Sequence, residues 1–394
     1  MSEGQSCLRV RILFLALDLR PEQDHAECVH VRELVQNFAD LGHDVLLLTS
    51  RTSTWVADPA NPHLAIRHVG GGSTVVELIR VVREMGRFHP HVVYERRFLP
   101  KVSAVVSALG AIPALVEING LVEDEIEMQG RSAEGLLPRV MRHRLHSWAF
   151  LQMERIVAVT DRLAGEMSRM YRIPPDRFVV VENGANTRLF RPMDKIECRR
   201  RLGLEEGAYW ICFEGGLYPW HGVDTLLRAF HVLRGNGIPA RLLIVGDGPS
   251  LRDLRELSEA LGVAGAVHFV GQVPYEEVPL YIGASDVGVG PFTRARNQRI
   301  GISPMKVYEY VACGRPVVIS GLPGIREWVE REGIGRIVEP DNPDELAAEL
   351  GGLYRDTLLQ EEVAVRGPIA VRRDHSWESI ASQLARLCGG LVAS

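Results

Sequence analysis

Residues 301 to 318, GISPMKVYEYVACGRPVV, carry one carboxylate, Glu309, among Val307, Tyr308, Tyr310 and Val311. An ionised carboxylate in apolar company is costly unless a partner satisfies it, and a vicinal diol does so with two hydrogen bonds. Just upstream, Ser303 and Pro304 suit the entry to a helix that Met305 continues: the hydroxyl as cap, Pro at the first helical position. Amides exposed at such an entry attract an anion, and Lys306 adds a positive charge at the same end. Gly314 stops the helix, and Pro316 introduces Val317 to Ile319 as a buried strand. A diol-binding acid beside an anion-binding helix start suits a ligand with both phosphate and hydroxyls.

The elements that must position this passage follow from hydrophobic patterning. In the first half, strands are predicted at Val10 to Leu17, Val45 to Thr49, Val92 to Tyr94, Ala114 to Glu117 and Ile156 to Val159. Helical periods separate them, among them Val29 to Leu41 and Lys101 to Leu109. The second half repeats the alternation at Tyr209 to Phe213, Leu242 to Val245, Val267 to Val270, Val287 to Val289 and Val317 to Ile319. Alternating strand and helix imply an α/β chain with two parallel sheets, each wound on both faces. The short polar stretch Asn183 to Asp194 is the predicted linker. Ligands in such folds bind outside the carboxyl ends of the strands, so the two sheets are expected to face one another across a cleft.

Several passages resemble glycosyltransferase family 4, and in that family's order. They are AECVHVRELVQNFADLGHDVLLLTS (26 to 50), RIVAVTDRLAGEM (155 to 167), VVVENGANTRLFRP (179 to 192), GGLYPWHGVDTLLRAF (215 to 230), LLIVGDGP (242 to 249), VHFVGQVPYEEVPLYIGASDV (267 to 287) and the 301 to 318 segment itself. The resemblance implies a GT-B fold of two Rossmann-like, doubly wound domains. Residues 1–190 form the acceptor domain, residues 191–373 the donor domain, and residues 374–394 cross back to the first. It also implies a retaining transfer of sugar from a nucleoside diphosphate donor to an acceptor hydroxyl.

By the same resemblance Glu309 binds the ribose hydroxyls of the donor, with Ser303, Pro304 and Met305 around it. A second family Glu, eight positions earlier, is Gly301 here, and Arg294, Arg296, Asn297, Gln298 and Arg299 form a basic stretch, read as loop, near the gap. The family's Arg and Lys that hold the diphosphate fall on Gly216 and His221, so Lys306 becomes the stronger charge and His221 a donor whose pKa rises beside a dianion. Gly248 in the Gly-Asp-Gly turn and Val273 in the turn at 271 to 274 match the donor-side loops. In the first domain Asp24 and His25 replace a glycine pair, and Asn119 and Glu117 end a strand where relatives carry a His. Tyr94, Glu95 and Arg96 end the strand beside it and are expected to point toward the same site. Lys306, His221 and Asn119 are the expected catalytic groups.

Composition bounds the partners. A net charge of −5 at pH 7 argues against general nucleic-acid binding. Cys7, Cys28, Cys198, Cys212, Cys313 and Cys388 are scattered without a Cys-x-x-Cys pair, as in a reduced, cytoplasmic chain with no zinc site. No Asp-x-Asp motif accompanies the site, and neither cofactor nor metal is expected. The acceptor is a glycan, a lipid-linked or a small molecule. Arg139, Arg142, Arg144 and His146 alternate with Val140, Met141, Leu145 and Trp148, a helix that either touches an anionic membrane or covers a core stripe. Two rivals share the fold: a sugar-nucleotide epimerase, and a sugar-nucleotide-binding protein without catalysis.

Overall fold

The computed structural model describes residues 9–97, 99–110, 112–121 and 136–393, with backbone only for 136–140, 142 and 393. The chain divides into two compact units, residues to Glu182 together with those from Trp377 onward, and Asn183–Ser376. The sequence reading places these divisions after residues 190 and 373.

The first unit is built on seven parallel strands: β1 (Arg11–Ala16), β2 (Asp44–Ser50), β3 (Leu64–Gly70), β4 (Val92–Arg96), β5 (Ala114–Ile118), β6 (Arg155–Ala158) and β7 (Phe178–Val180). Their order is β3-β2-β1-β4-β5-β6-β7. Central strands read as unbroken apolar runs because helices cover both faces, and β1 is buried along nearly all its length. The two edge strands escape the sequence reading for the opposite reason. β3 alternates buried and open positions around Arg67 and His68, and β7 is three residues long. The last helix, Trp377–Ala393, lies against the helix Ala26–Asp40 of this unit.

The second unit holds β8 (Tyr209–Glu214), β9 (Ala240–Val245), β10 (Val267–Gly271), β11 (Val287–Gly290), β12 (Val317–Ser320) and β13 (Gly335–Val338), all parallel, in the order β10-β9-β8-β11-β12-β13. Each sheet reverses direction once, between β1 and β4 and between β8 and β11, and crevices open at the carboxyl ends of such switch points. The helix Met305–Ala312 is seated beside the second switch by close packing. A Cβ on Gly288 of β11 would lie 2.2 Å from the Tyr310 ring, so only glycine lets the helix settle so near the sheet.

Candidate active site

In the second unit the site grows from the end of β8. Glu214 is its last residue, and its amide donates to the Tyr310 hydroxyl at 2.8 Å, tying strand end to helix. Gly215 follows with φ of 116°, and a Cβ there would fall 2.8 Å from Lys306 Nζ. The lysine head therefore lies directly beneath the turn backbone. It sits 4.0 Å from the centroid of Phe213 and 5.6 Å from that of Phe292. Lys306 is 8% exposed, and its ammonium has no hydrogen-bond partner. Burial pushes it down to about 8, against the pull of Glu214 and Glu309.

Glu309, on the helix with Lys306, is buried and accepts from the Tyr275 hydroxyl at 3.0 Å. Burial and the neighbouring Glu214 hold its pKa well above the usual carboxylate range, while Tyr275 and Lys306 pull the other way. Glu214 is raised too, chiefly by burial. Each carboxyl perturbs the other in a site that disfavours two buried negative charges, which favours a proton on one of them. A buried ammonium without a hydrogen bond beside two buried acids is costly to keep folded without a ligand.

The first unit carries a second polar group at the ends of β4 and β5. Arg96 pairs with Glu117 in the sheet register, and its Nε lies 3.8 Å from that carboxylate. Glu117 also meets His30 Nε2 at 2.8 Å and accepts from the Tyr94 hydroxyl at 2.7 Å. Burial alone would raise Glu117, but His30, Arg96 and Tyr94 outweigh it and hold it at about 2. With its amide oxygen toward Arg96, Asn119 accepts from that guanidinium and donates to the Ile118 carbonyl at 3.2 Å. A small cavity there is lined by Asp18, Arg96, Arg97, Glu117 and Asn119 among others.

Comparison with known proteins accounts for both halves. Residues 29–189 match the model described as Glycosyltransferase Family 4, and residues 208–356 match Glycosyl transferases group 1. Both matched stretches are glycosyltransferase domains, and the chain is a glycosyltransferase. It is 28% identical over 392 residues to a D-inositol 3-phosphate glycosyltransferase of Thermobispora bispora, spanning 91% of this chain and 88% of that one. A protein of the same name from Streptosporangium roseum is 26% identical, over 93% and 88%. Among solved structures, sucrose-phosphate synthase of Thermosynechococcus elongatus superposes with a TM-score of 0.79 at 20% identity, covering 98% and 100% of the two chains. Anabaena HepE in complex with UDP gives 0.73 at 17%, covering 96% and 99%. These likenesses confirm the GT-B fold.

In this glycosyltransferase the expected donor residues Glu309, Lys306, Gly216 and His221 gather around the end of β8, but several do other work than their types suggested. Ser303 caps nothing: its Oγ accepts from the Asn183 amide at 2.8 Å, and Pro304 takes the cap position instead of the first helical turn. His221 lies in a short turn and donates from Nδ1 to the Gly216 carbonyl. A neutral ring with that proton on Nδ1 only accepts at Nε2. Burial, then Lys306, pushes His221 down to about 3, so without ligand it supplies no charge. The stretch read as a loop is a helix, Arg294–Ile300: Asn297 bonds the Trp220 and Thr293 carbonyls, and Arg299 is exposed. Gly248 packs where a Cβ would meet the Leu217 backbone at 2.6 Å, a structural demand. Pro304, Met305 and Val273 are half-buried.

Tyr94, Glu95 and Arg96 cannot all face one site, because side chains alternate along a strand. Tyr94 and Arg96 share the Glu117 side, and the Tyr94 ring is stacked in the core on Phe14 at 4.9 Å. Glu95 turns the other way and accepts from Ser103 N at 3.1 Å, at the start of the helix Val102–Ala108. His25 is exposed at the start of Ala26–Asp40 without a side-chain cap bond. His146 is buried beside Tyr171 instead of lying on a basic face, and the side chains of Arg139 and Arg142 lie outside the described residues, as does Cys7. The five cysteines that are described are buried free thiols. The sequence reading missed Glu214, Tyr275, Tyr310, Asn183 and His30. Only the buried-acid argument applied to Glu309 had a counterpart at Glu214, which ends an apolar strand in the same way.

Proposed function

We propose that this enzyme moves a glycosyl group from a nucleoside diphosphate sugar to an acceptor hydroxyl with retention at the anomeric carbon. The observation that carries the reading is the buried Lys306 ammonium, which makes no hydrogen bond, beside the acids Glu214 and Glu309. A diphosphate over the Gly215–Gly216 turn pairs with that ammonium, and the ribose diol donates to Glu309, whose ionised form is then favoured. As the bond from the anomeric carbon to the diphosphate breaks, negative charge grows on the leaving oxygen, and Lys306 stabilises it without a metal ion. The acceptor oxygen bonds to the same face of that carbon, and its proton passes to the departing diphosphate. His221 orients the turn through Gly216 and joins the charge clamp only if a bound dianion protonates it.

HepE solved with UDP-glucose supports a sugar-nucleotide donor, and relatives named for D-inositol 3-phosphate put a small polyol phosphate first among acceptors to test. Arg96, Glu117 and Asn119 are the acceptor-side groups of this reading. Such chemistry fits the cytoplasm, where sugar nucleotides are made. The helix Leu136–Leu151 turns Met141, Leu145, Trp148 and Leu151 outward beside exposed Arg144, which supports contact with an anionic membrane face. No helix among the described residues is long and apolar enough to cross a membrane. The epimerase and non-catalytic rivals lack such support, since the named relatives are glycosyltransferases.

Calorimetric titration with UDP, GDP and ADP tests the donor site. Glu309→Gln keeps the shape and the Tyr275 bond but lacks the anion. It is expected to weaken the preferred nucleotide by about 10- to 100-fold, the worth of hydrogen bonds to a charged group. Unchanged affinity in that variant would remove the assignment.

A further inference from the structure

The chain passes between its two units at Glu182–Asn183 and again at Ser376–Trp377. Both passages are fastened to the start of the helix that carries Lys306 and Glu309. Asn183 donates its amide to Ser303 Oγ at 2.8 Å and its side-chain Nδ2 to the Ser303 carbonyl at 2.7 Å. Ser303 Oγ lies 3.1 Å from the Tyr308 hydroxyl, one turn along the same helix. The Tyr308 ring stacks on His375 with centroids 3.9 Å apart and planes 15° from parallel, and Trp328 closes edge-on against both. His375 completes the loop, donating from Nδ1 to the Asn183 carbonyl at 3.3 Å, while its own carbonyl accepts from Ala185 N at 2.8 Å. Ser303, Tyr308 and His375 are all buried.

We propose that Asn183 and His375 are positioning residues for the donor site, holding the first turn of Met305–Ala312 so that Lys306 stays beneath Gly215 and Glu309 beside Glu214. The helix start has no side-chain cap of its own, because the hydroxyl that would cap it is spent on Asn183. Its placement therefore depends on the two crossings instead of on local sequence. Released from them, the turn samples other positions, and a nucleotide must then order it at the expense of affinity. This inference rests on the proposed donor site.

The test is calorimetric titration of the full chain with UDP, GDP and ADP, each variant's melting temperature being recorded alongside. Asn183→Asp removes the Nδ2 donor and sets a carboxylate against the Ser303 carbonyl, and His375→Ala removes the ring. Both are expected to weaken the nucleotide preferred by the wild type by about tenfold, the cost of leaving buried polar groups unmatched. His375→Phe keeps the stack and is expected to recover most of that loss. Tyr308→Phe, which removes only the hydroxyl at Ser303, carries the test if His375→Ala does not fold. A lower melting temperature with unchanged nucleotide affinity in these variants, while Glu309→Gln binds poorly, overturns the positioning role alone. Unchanged affinity in Glu309→Gln as well overturns the donor site and the positioning role with it.

Discussion

Replacing Lys306 by Met should make the unliganded protein more stable while disabling it. The ammonium is 8% exposed, makes no hydrogen bond and titrates near 8 instead of 10.5. At about 1.4 kcal/mol for each tenfold change, holding it charged at pH 7 costs about 3 kcal/mol. Met is unbranched and one atom shorter, removes that cost and sets a thioether near the Phe213 ring. That figure is already net of the pull of Glu214 and Glu309, and the space left by the shorter side chain offsets part of the gain, leaving about 1–2 kcal/mol. For a unit of this size the melting temperature of residues 183–376 then rises by about 2–8 °C. The pH dependence has a definite sign. Below pH 8 both folded and unfolded chains hold the Lys306 proton, and the full cost is present. Between 8 and 10.5 the folded protein sheds it first, so the wild type gains on the variant and the gap closes. Thermal unfolding of both proteins from pH 7 to 10.5, with glycosyl transfer assayed at pH 7, gives the answer. A Lys306→Met variant that melts lower than wild type at pH 7, a gap that ignores pH, or turnover within tenfold of wild type would each refute the reasoning.

Three further outcomes are expected. Glu117, held at about 2 by His30, Arg96 and Tyr94 against burial, stabilises the first unit above pH 4.5, and that contribution is lost as pH falls from 4.5 toward 2. His30→Ala strips its main partner and should cost about 3–5 kcal/mol at pH 7, read as an earlier unfolding transition of that unit; a loss under about 1 kcal/mol contradicts the pairing. Gly301→Glu restores the family's residue type at a backbone with φ of 71° and ψ of 178°, and should destabilise by about 1–3 kcal/mol without raising turnover. An active, equally stable variant would show that the backbone does not exclude Glu there. Leu145→Asp with Trp148→Glu should cut sedimentation with phosphatidylglycerol vesicles by about tenfold and leave nucleotide affinity alone, whereas unchanged sedimentation discards the membrane face.

How much was legible depended on how local the cause was. Buried strands such as β1 and β12 announce themselves because only an apolar run survives between two helical layers. Edge strands β3 and β7, half open to solvent, carry no such run. Glu309 was legible because its own neighbours on the helix are apolar. Glu214 was not, since its meaning comes from Glu309, 95 residues later in sequence. Tyr94, Glu95 and Arg96 share one strand end in the sequence, and the pleat divides them.

What the amino-acid order determined by itself is the sequence of elements, two parallel sheets, and a helix with an acid where none is comfortable. Hydrophobic period and turn chemistry act over a few residues and so can be read along the chain. The tertiary structure alone decided which hydroxyl caps, which histidine is neutral and which cation lacks a partner. Those properties come from burial and from contacts between distant segments: Ser303 spent on Asn183, His221 donating to Gly216 and half-buried among aromatic rings, Lys306 lodged beneath Gly215.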